Sequence, residues 1–465
     1  MSRFIDKYKK VINIISPYLL VGYFILTYVP YFVGRFSPLM NFFGSYDIFY
    51  RGVLSLIFIL ITLSQYILSD NRRIGTLFLF GLMCLYFVLG SLCVPQSLIV
   101  RHIFPNSHAI VDVSLQVGFK DIVVGLLNSF FDLYFCFYLL VFGLSSLNKK
   151  AIRILLYFAF LTSAIESLLT FVLDYSSYLS LFKFDFDNVY DLNISGTFQS
   201  KNGLGLLLFQ GVLSSFALFK MSTKKWQRLI IVFGLIVIMI VLLLSFCKTS
   251  AIISSFACLA FVLSLMFKKR TKVVQSVILL SIIAIFIVFF ALIMFVPQLT
   301  SVKGIGGIIL SIKNTVLERI KIWYEATFLM DAPQLFIGYS KGVSGYLLHL
   351  VDETLSSYYF HNGFVTILVN YGLIGLIAYI IMVSKIYKRH KYLDNGWQKV
   401  FKLIFWTSMA YTCFEAYHLF LSGSPVVMLQ SVLIIYLPVL YGDYLERRKN
   451  NKYVISEKKY YILYI

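Results

Sequence analysis

The stretch LIIVFGLIVIMIVLLLSF, residues 229–246, decides the fold class of this chain. It contains no charged residue and approaches the roughly 20 residues that a helix needs to cross about 30 Å of hydrocarbon. Runs of similar length and composition recur from one end of the chain to the other. Backbone groups in lipid must be hydrogen-bonded within the protein, so each run is predicted to be a helix. The pattern therefore predicts an all-α polytopic membrane protein.

The composition agrees with this class. Hydrophobic residues make up 59% of the chain and charged residues 13%, with a mean hydropathy of +0.83. Soluble proteins have about 25% charged residues. The net charge of +20 does not indicate nucleic acid, because the basic residues form short clusters between apolar runs. The six cysteines show no Cys-x-x-Cys or Cys/His spacing, so no zinc site, disulfide framework or cofactor is indicated.

We predict one integral membrane domain, residues 1–465, with about twelve spans. The spans lie near residues 11–33, 48–68, 74–95, 121–145, 154–174, 203–219, 229–246, 250–267, 273–296, 362–384, 400–420 and 425–441. If the N-terminus is cytoplasmic and the segments between spans alternate between the two sides of the membrane, the basic clusters fall on the cytoplasmic side. These clusters are Arg72-Arg73, Lys149-Lys150-Arg153, Lys224-Lys225-Arg228, Lys268–Lys272, Lys385–Lys391 and Arg447–Lys449. The positive-inside rule thus places both termini in the cytoplasm, with a basic tail over residues 442–465.

Two long loops are predicted on the extracytoplasmic side, at about residues 175–202 and 297–361. The second lies between spans nine and ten and contains short helices, with a helix-like stretch from Ile312 to Met330. Long ordered loops in compact proteins are usually functional, so this side is the candidate site.

Cations on the extracytoplasmic side run against the positive-inside bias. Four stand in distinctive settings: Lys201, Lys248, Arg319 and Lys321. Lys248 lies in a very short turn between two spans, where a charge is costly unless it serves a cavity or a partner. Cations gathered at this level suit a diphosphate, with Arg as a bidentate fork and Lys as a point charge. The alternative is that each side chain merely extends to lipid headgroups.

Histidine and acidic residues supply the remaining candidates. His361 lies at the mouth of the tenth span, where its imidazole is suited to take a proton from a sugar hydroxyl, and His349 is a second candidate for that role. The alternative for His361 is an interfacial side chain bonded to backbone. Asp132, Glu166 and Glu415 lie within predicted spans. They are candidates either for a proton relay or for pairing with a cation, and we favour packing.

In their order along the chain, several short motifs resemble the superfamily of O-antigen ligases and Wzy-type polysaccharide polymerases. They are Ser195-Gly-Thr-Phe198 with Lys201-Asn-Gly-Leu-Gly205, Ser245-x-x-Lys248-Thr-Ser250, Arg319-x-x-x-Trp323, Phe336-Ile-Gly-Tyr-Ser-Lys-Gly342, His361-Asn362 and Tyr371-Gly-Leu-Ile-Gly375. The motifs cover roughly residues 190–380, and elsewhere the resemblance is one of topology alone.

The resemblance implies a GT-C-like fold and an inverting, metal-independent glycosyl transfer at the outer face of the bacterial cytoplasmic membrane. It implies a glycan on undecaprenyl diphosphate as donor and a second lipid-linked oligosaccharide as acceptor. A chain-length regulator and a flippase are candidate partners. Arg319 matches an arginine that holds the diphosphate, and His361 matches the proposed base. The predicted substrate-binding residues are Lys201, Asn202, Lys248, Lys321, Trp323, Asn362 and His349.

The chain departs from the ligase pattern at one position. Asn193 stands where the first arginine is expected, so Lys201 or Lys248 is the candidate for its role. Lys-Asn at this motif resembles capsule polymerases of the Gram-positive type, which favours a polymerase. Two alternatives stay open: a ligase of the same superfamily that transfers finished glycan to another acceptor, and a flippase or other transporter of lipid-linked oligosaccharide.

Overall fold

The structure is a computed structural model. It describes residues 149–182, 194–198, 200–266, 291–301, 306–328, 330, 332–339, 360–415, 419–420 and 425–441, the strands 97–103 and 110–116, and isolated positions or short groups between 11 and 134 and at 284 and 288. The predicted spans near 48–68, 74–95, 121–145 and 273–296 lie mostly outside the described residues, as does about half of the span near 11–33. Asp132, Asn193, His349 and the tail 442–465 lie outside them.

The described elements are mainly helices. They are α1 (Lys149–Leu173), α2 (Tyr175–Phe182), α3 (Lys201–Met221), α4 (Lys225–Leu244), α5 (Lys248–Met266), α6 (Gly306–Phe328), α7 (Ala332–Ile337), α8 (Gly363–Lys388), α9 (Asn395–Phe414) and α10 (Pro425–Tyr441). Single 3-10 turns occupy Pro297–Ser301 and Arg389–Tyr392. The helix predicted from Ile312 to Met330 is α6, which begins six residues earlier.

Five of the described helices are long and apolar enough to cross a membrane, by length and composition. They are α1, α3, α4, α5 and α8 with its continuation to Tyr392. They correspond to the predicted spans 154–174, 203–219, 229–246, 250–267 and 362–384. The chain is therefore a helical membrane protein. The total of about twelve spans and the orientation of the chain remain predictions.

The fold also contains a β-hairpin that the sequence reading did not anticipate. Strands β1 (Ser97–Ile103) and β2 (Ile110–Gln116) pair antiparallel, with Ser97 opposite Gln116 and Ile103 opposite Ile110. Both strands are rich in Val and Ile, which favour extended backbone. The all-α prediction holds for the membrane helices and is wrong for this short segment, because hydropathy averaged over a span length does not detect seven-residue strands.

Helix α3 is the centre of the described bundle. Within its apolar window 83% of the residues are buried, and it packs against α1, α4, α5, α9 and α10. The contact with α1 is close enough for Ser163 Oγ to donate a hydrogen bond to the carbonyl oxygen of Leu207, at 2.9 Å. Hydroxyl side chains that bond across helices in this way stabilise packing where lipid removes the hydrophobic driving force. Helix α3 thus fixes the positions of the helices around it.

Cations concentrate at the end of the bundle where α3 ends and α4 and α9 begin. Lys220 Nζ lies 6.0 Å from the ring centroid of Trp397, and Lys149 Nζ lies 5.1 Å from that of Tyr441. Aromatic rings and lysines at one level are typical of a membrane interface. We name this region the basic end, and the positive-inside rule predicts that it faces the cytoplasm.

Candidate functional site

At the other end of the bundle, the beginning of α3 meets the turn between α4 and α5. The thiol of Cys247 donates to the carbonyl oxygen of Lys201. A Cβ atom on Gly205 would lie 2.7 Å from Cys247 Cβ and 2.9 Å from Ser250 Oγ, so only glycine lets the two segments approach this closely. Two motifs that are about 45 residues apart in the chain are thereby packed together, which brings Lys201 near Lys248.

Lys248 connects this turn to α6. Its Nζ donates to the carbonyl oxygen of Ser311 at 2.9 Å and to Thr315 Oγ1 at 2.6 Å. Lys201 and Arg319 both lie near enough for their positive charges to repel that of Lys248. Two of the three ammonium N–H groups of Lys248 therefore hold α6 in place, while its charge belongs to a cluster of three cations.

Arg319 lies one helical turn after Thr315, on the same face of α6. Its guanidinium donates to Glu415 Oε1 at 2.8 Å and to the carbonyl oxygen of Phe414. The side chains of Arg319 and Glu415 are only 13% and 9% exposed, so this is an ion pair largely removed from solvent. Among the described residues, two of the five guanidinium N–H groups are engaged in these bonds.

His361 approaches the same carboxylate from the beginning of α8. Its Nδ1 lies 3.4 Å from Glu415 Oε2. The backbone of His361 has φ of 48°, a left-handed conformation that is uncommon for residues other than glycine. Strained backbone of this kind persists only where the surrounding structure holds it, and it concentrates at functional sites.

The neighbours of His361 explain how that backbone is held. Trp323 Nε1 donates to the carbonyl oxygen of Phe360 at 2.8 Å. Asn362 caps α8, because its Oδ1 accepts from the backbone N–H groups of Phe364 and Val365 at 2.9 and 3.1 Å. Trp323, on α6, therefore holds the residue before His361, and Asn362 fixes the beginning of α8 directly after it; both were predicted to bind substrate.

Glu415 is the residue that joins these groups. It was predicted to lie inside the span 400–420; the helix of that span, α9, ends at Phe414, and Glu415 is the capping residue that follows it. Burial by itself would raise the pKa of Glu415, but hydrogen bonds and positive charge from His361 and Arg319 outweigh it and lower the pKa below its ordinary value. Glu415 is therefore a carboxylate shared between a guanidinium and an imidazole. We name Lys201, Lys248, Arg319, His361 and Glu415 the cation–histidine cluster.

Three of the predicted substrate-binding residues differ in exposure. Asn202 and Lys321 are exposed, the first on α3 and the second on α6. Lys201 is half-buried, and among the described residues its ammonium makes no hydrogen bond or ion pair. In the part of the chain that the structure describes, no group of three or more His, Cys, Asp or Glu side chains is arranged to hold a metal ion.

Two acidic residues position the segment before Lys201. Asp174 Oδ2 accepts from the backbone N–H groups of Ser195 and Gly196 at 3.0 and 2.7 Å. Glu166 Oε1 accepts from the N–H group of Thr197 at 2.7 Å. Glu166 therefore holds this segment through one backbone amide, that of Thr197. Asp174 was not recognised as a structural residue, because nothing in the local pattern relates it to a turn about 20 residues later.

The glycine motifs around residues 338 and 372 form a second backbone contact. The N–H group of Tyr339 donates to the carbonyl oxygen of Val369 at 2.8 Å, in the middle of α8. At Gly372 that helix is interrupted, with φ of 64° and ψ of −173°. Tyr86 Oη donates to the carbonyl oxygens of Tyr371 at 2.6 Å and Phe336 at 3.1 Å. The bonds to Val369 and Tyr371 satisfy carbonyl groups next to the interruption of α8.

Comparison of the sequence with known proteins gives no family assignment, because no protein-family model matches the chain and no curated protein matches it.

Proposed function

We propose that this chain is a polysaccharide polymerase of the bacterial cytoplasmic membrane. At the outer face it transfers a growing glycan from undecaprenyl diphosphate to the terminal hydroxyl of a lipid-linked repeat unit. The observation that carries the proposal is the convergence of Arg319 and His361 on Glu415, beside Lys201 and Lys248. A phosphate-binding set of cations and a candidate base occupy one site at the end of the bundle opposite the basic end.

The cations supply the electrostatic part of this reaction. When the bond between the anomeric carbon and the diphosphate oxygen breaks, negative charge develops on the leaving diphosphate. Cations that are already in position stabilise this charge without reorganisation, which is the largest contribution in many enzymes. Lys201 is the stronger candidate for the role of the missing arginine, because its ammonium is unbonded among the described residues whereas Lys248 holds α6.

The histidine supplies the proton transfer. His361 Nε2 takes the proton of the acceptor hydroxyl while that oxygen forms a bond to the anomeric carbon of the donor sugar. The electron pair of the broken bond leaves with undecaprenyl diphosphate, and configuration at the anomeric carbon is inverted. General base catalysis of this kind contributes about 10²–10⁴-fold to the rate. The product is one repeat unit longer and is linked to the lipid of the acceptor.

A ligase would use the same site and differ only in its acceptor. A transporter is less well supported, because in the part of the chain that the structure describes these polar residues gather at one end of the bundle. Proteoliposomes given both lipid-linked substrates on the exposed face distinguish the three. A polymerase produces a ladder of lengthened glycans, a ligase requires a different acceptor, and a transporter moves the glycan without lengthening it.

Substitution tests the site. We expect Arg319→Ala to reduce ladder formation by about 10²-fold or more, because a charged group aimed at the leaving diphosphate is lost. We expect His361→Asn to have a comparable effect, and Asn, like His, accepts left-handed backbone. Lys225→Ala is the matched control, since it removes an exposed cation at the basic end. Ladder formation by Arg319→Ala and His361→Asn within about threefold of the parent protein, at equal protein level, would refute the proposal.

A further inference from the structure

Both groups to which the proposed function assigns chemistry are bound by one carboxylate. Glu415 Oε1 accepts from Arg319 at 2.8 Å, and Glu415 Oε2 lies 3.4 Å from His361 Nδ1. Each oxygen of the carboxylate therefore serves a different partner. The Glu415 side chain is 9% exposed, so little solvent competes for these positions. The bond to Arg319 would be enough for Glu415 to pack α9 against α6, and packing does not account for the contact with His361.

We propose that Glu415 is a positioning residue, which keeps the proton of neutral His361 on Nδ1 and holds Arg319 beside it. The inference rests on the proposed function and assigns a further residue to it. A carboxylate accepts and cannot donate when ionised, so a hydrogen bond to Nδ1 requires that Nδ1 carry the proton. The lone pair of Nε2 is then the only acceptor on the ring, and it lies on the side of the ring away from Nδ1 and Glu415.

The same carboxylate balances charge during the reaction. His361 becomes an imidazolium when it accepts the proton, and it does so in a cluster that already contains several cations. Lys201 on α3 and Arg319 on α6 both act electrostatically on Lys248 of α5, as does Glu318 on α6, and Cys247 lies in the turn before α5. The elements around the site carry further titratable residues, among them Lys313, Lys321 and Tyr324 of α6 and Cys413 of α9. Glu415 is the buried acid in direct contact with the ring. Without it, repulsion from the cations would disfavour the imidazolium and slow proton transfer.

The substitution Glu415→Gln separates this role from packing. Glutamine keeps the size of the side chain and can still accept a hydrogen bond, but it has no charge. We expect kcat to fall by about 10²-fold or more, as when a carboxylate that orients a catalytic histidine is neutralised. We expect the KM for the lipid diphosphate to stay within about threefold of the parent value, because none of the cations is removed.

The pH profile is the readout that packing would not change. The loss of rate toward low pH reports protonation of the base, and we expect its midpoint in Glu415→Gln to move to lower pH by about 1 unit or more. Glu415→Asp retains the charge and should return the midpoint to within about 0.5 unit of the parent value. Asp394→Asn is the matched control, because it neutralises an acidic helix cap at the basic end and keeps a capping side chain.

The outcomes separate the two proposals. An unchanged midpoint in Glu415→Gln, whether or not the protein loses thermal stability, would overturn the positioning role. If at the same time His361→Asn and Arg319→Ala abolish ladder formation, the proposed function stands and only the inference about Glu415 fails. If the parent protein is given both lipid-linked substrates and no lengthened glycan forms, the proposed function itself fails.

Discussion

Replacing Gly372 with Ala tests the backbone contact at the interruption of α8. At φ of 64° and ψ of −173°, Gly372 occupies a region that is almost exclusive to glycine, where any other residue costs about 1–3 kcal/mol. A Cβ atom on Gly372 would lie 2.2 Å from the carbonyl oxygen of Phe336. Ordinary contact begins at 3.4 Å, so the segment that contains Phe336 has to retreat by about 1 Å.

That retreat removes a buried hydrogen bond. The Tyr339 N–H group donates to the carbonyl oxygen of Val369 at 2.8 Å, and a displacement of about 1 Å lengthens this beyond bonding distance. Tyr339 is 1% exposed, so its N–H group would be left without water, which costs about 1–3 kcal/mol. Together with the backbone strain, we expect Gly372→Ala to lower the free energy of unfolding by about 2–6 kcal/mol.

Thermal unfolding in detergent measures this loss. Cys247 is buried, so a fluorogenic maleimide reacts with its thiol as the bundle opens. We expect the unfolding midpoint of Gly372→Ala to fall by about 3 °C or more. Gly81→Ala is the matched control, because Gly81 is helical and a Cβ atom there meets nothing within 4 Å. If Gly372→Ala unfolds within about 1 °C of the parent protein, the inferred contact is wrong.

Two further predictions concern the cation–histidine cluster. We expect Lys201→Met to raise the KM for the lipid diphosphate and to leave the unfolding midpoint unchanged. Lys248→Met should raise the same KM and also lower the free energy of unfolding by about 1.5–3 kcal/mol, because it removes charged hydrogen bonds to α6. Equal unfolding midpoints for the two variants would contradict this. The pKa of Glu415 is lowered in the folded protein from its ordinary value of 4.5. The ionised carboxylate therefore contributes its full stability above pH 4.5, and this contribution is lost as the pH falls through the lower folded pKa. The stability difference between parent and Glu415→Gln should therefore shrink on acidification below pH 4.5, and a constant difference would show that Glu415 is not ionised in the folded state.

The helices of the bundle could be predicted closely where hydropathy alone decides them. The spans predicted at 203–219 and 250–267 are the helices Lys201–Met221 and Lys248–Met266. An apolar run of this length has few alternatives in lipid, because its own backbone must satisfy its hydrogen bonds. The strands Ser97–Ile103 and Ile110–Gln116 were missed, since their partner is another segment of chain and not the next turn of the same helix.

The candidate site could be predicted only as a set of unconnected residues. Lys201, Lys248, Arg319 and His361 stood out because cations and histidine are unusual at their positions. The residue that connects two of them, Glu415, was assigned to packing within a span. Nothing near Glu415 in the chain relates it to His361, which is 54 residues away, or to Arg319, which is 96 residues away.

The sequence by itself therefore determined that this is a helical membrane protein, because helix formation in lipid depends on the composition of each segment separately. The tertiary structure alone decided that α9 ends before Glu415 and that one carboxylate receives both a guanidinium and an imidazole. Ion pairs and hydrogen bonds act over a few ångströms in space whatever the separation along the chain. A local pattern can show that a charge is unusual, and only the packing of α6, α8 and α9 shows which partner it has.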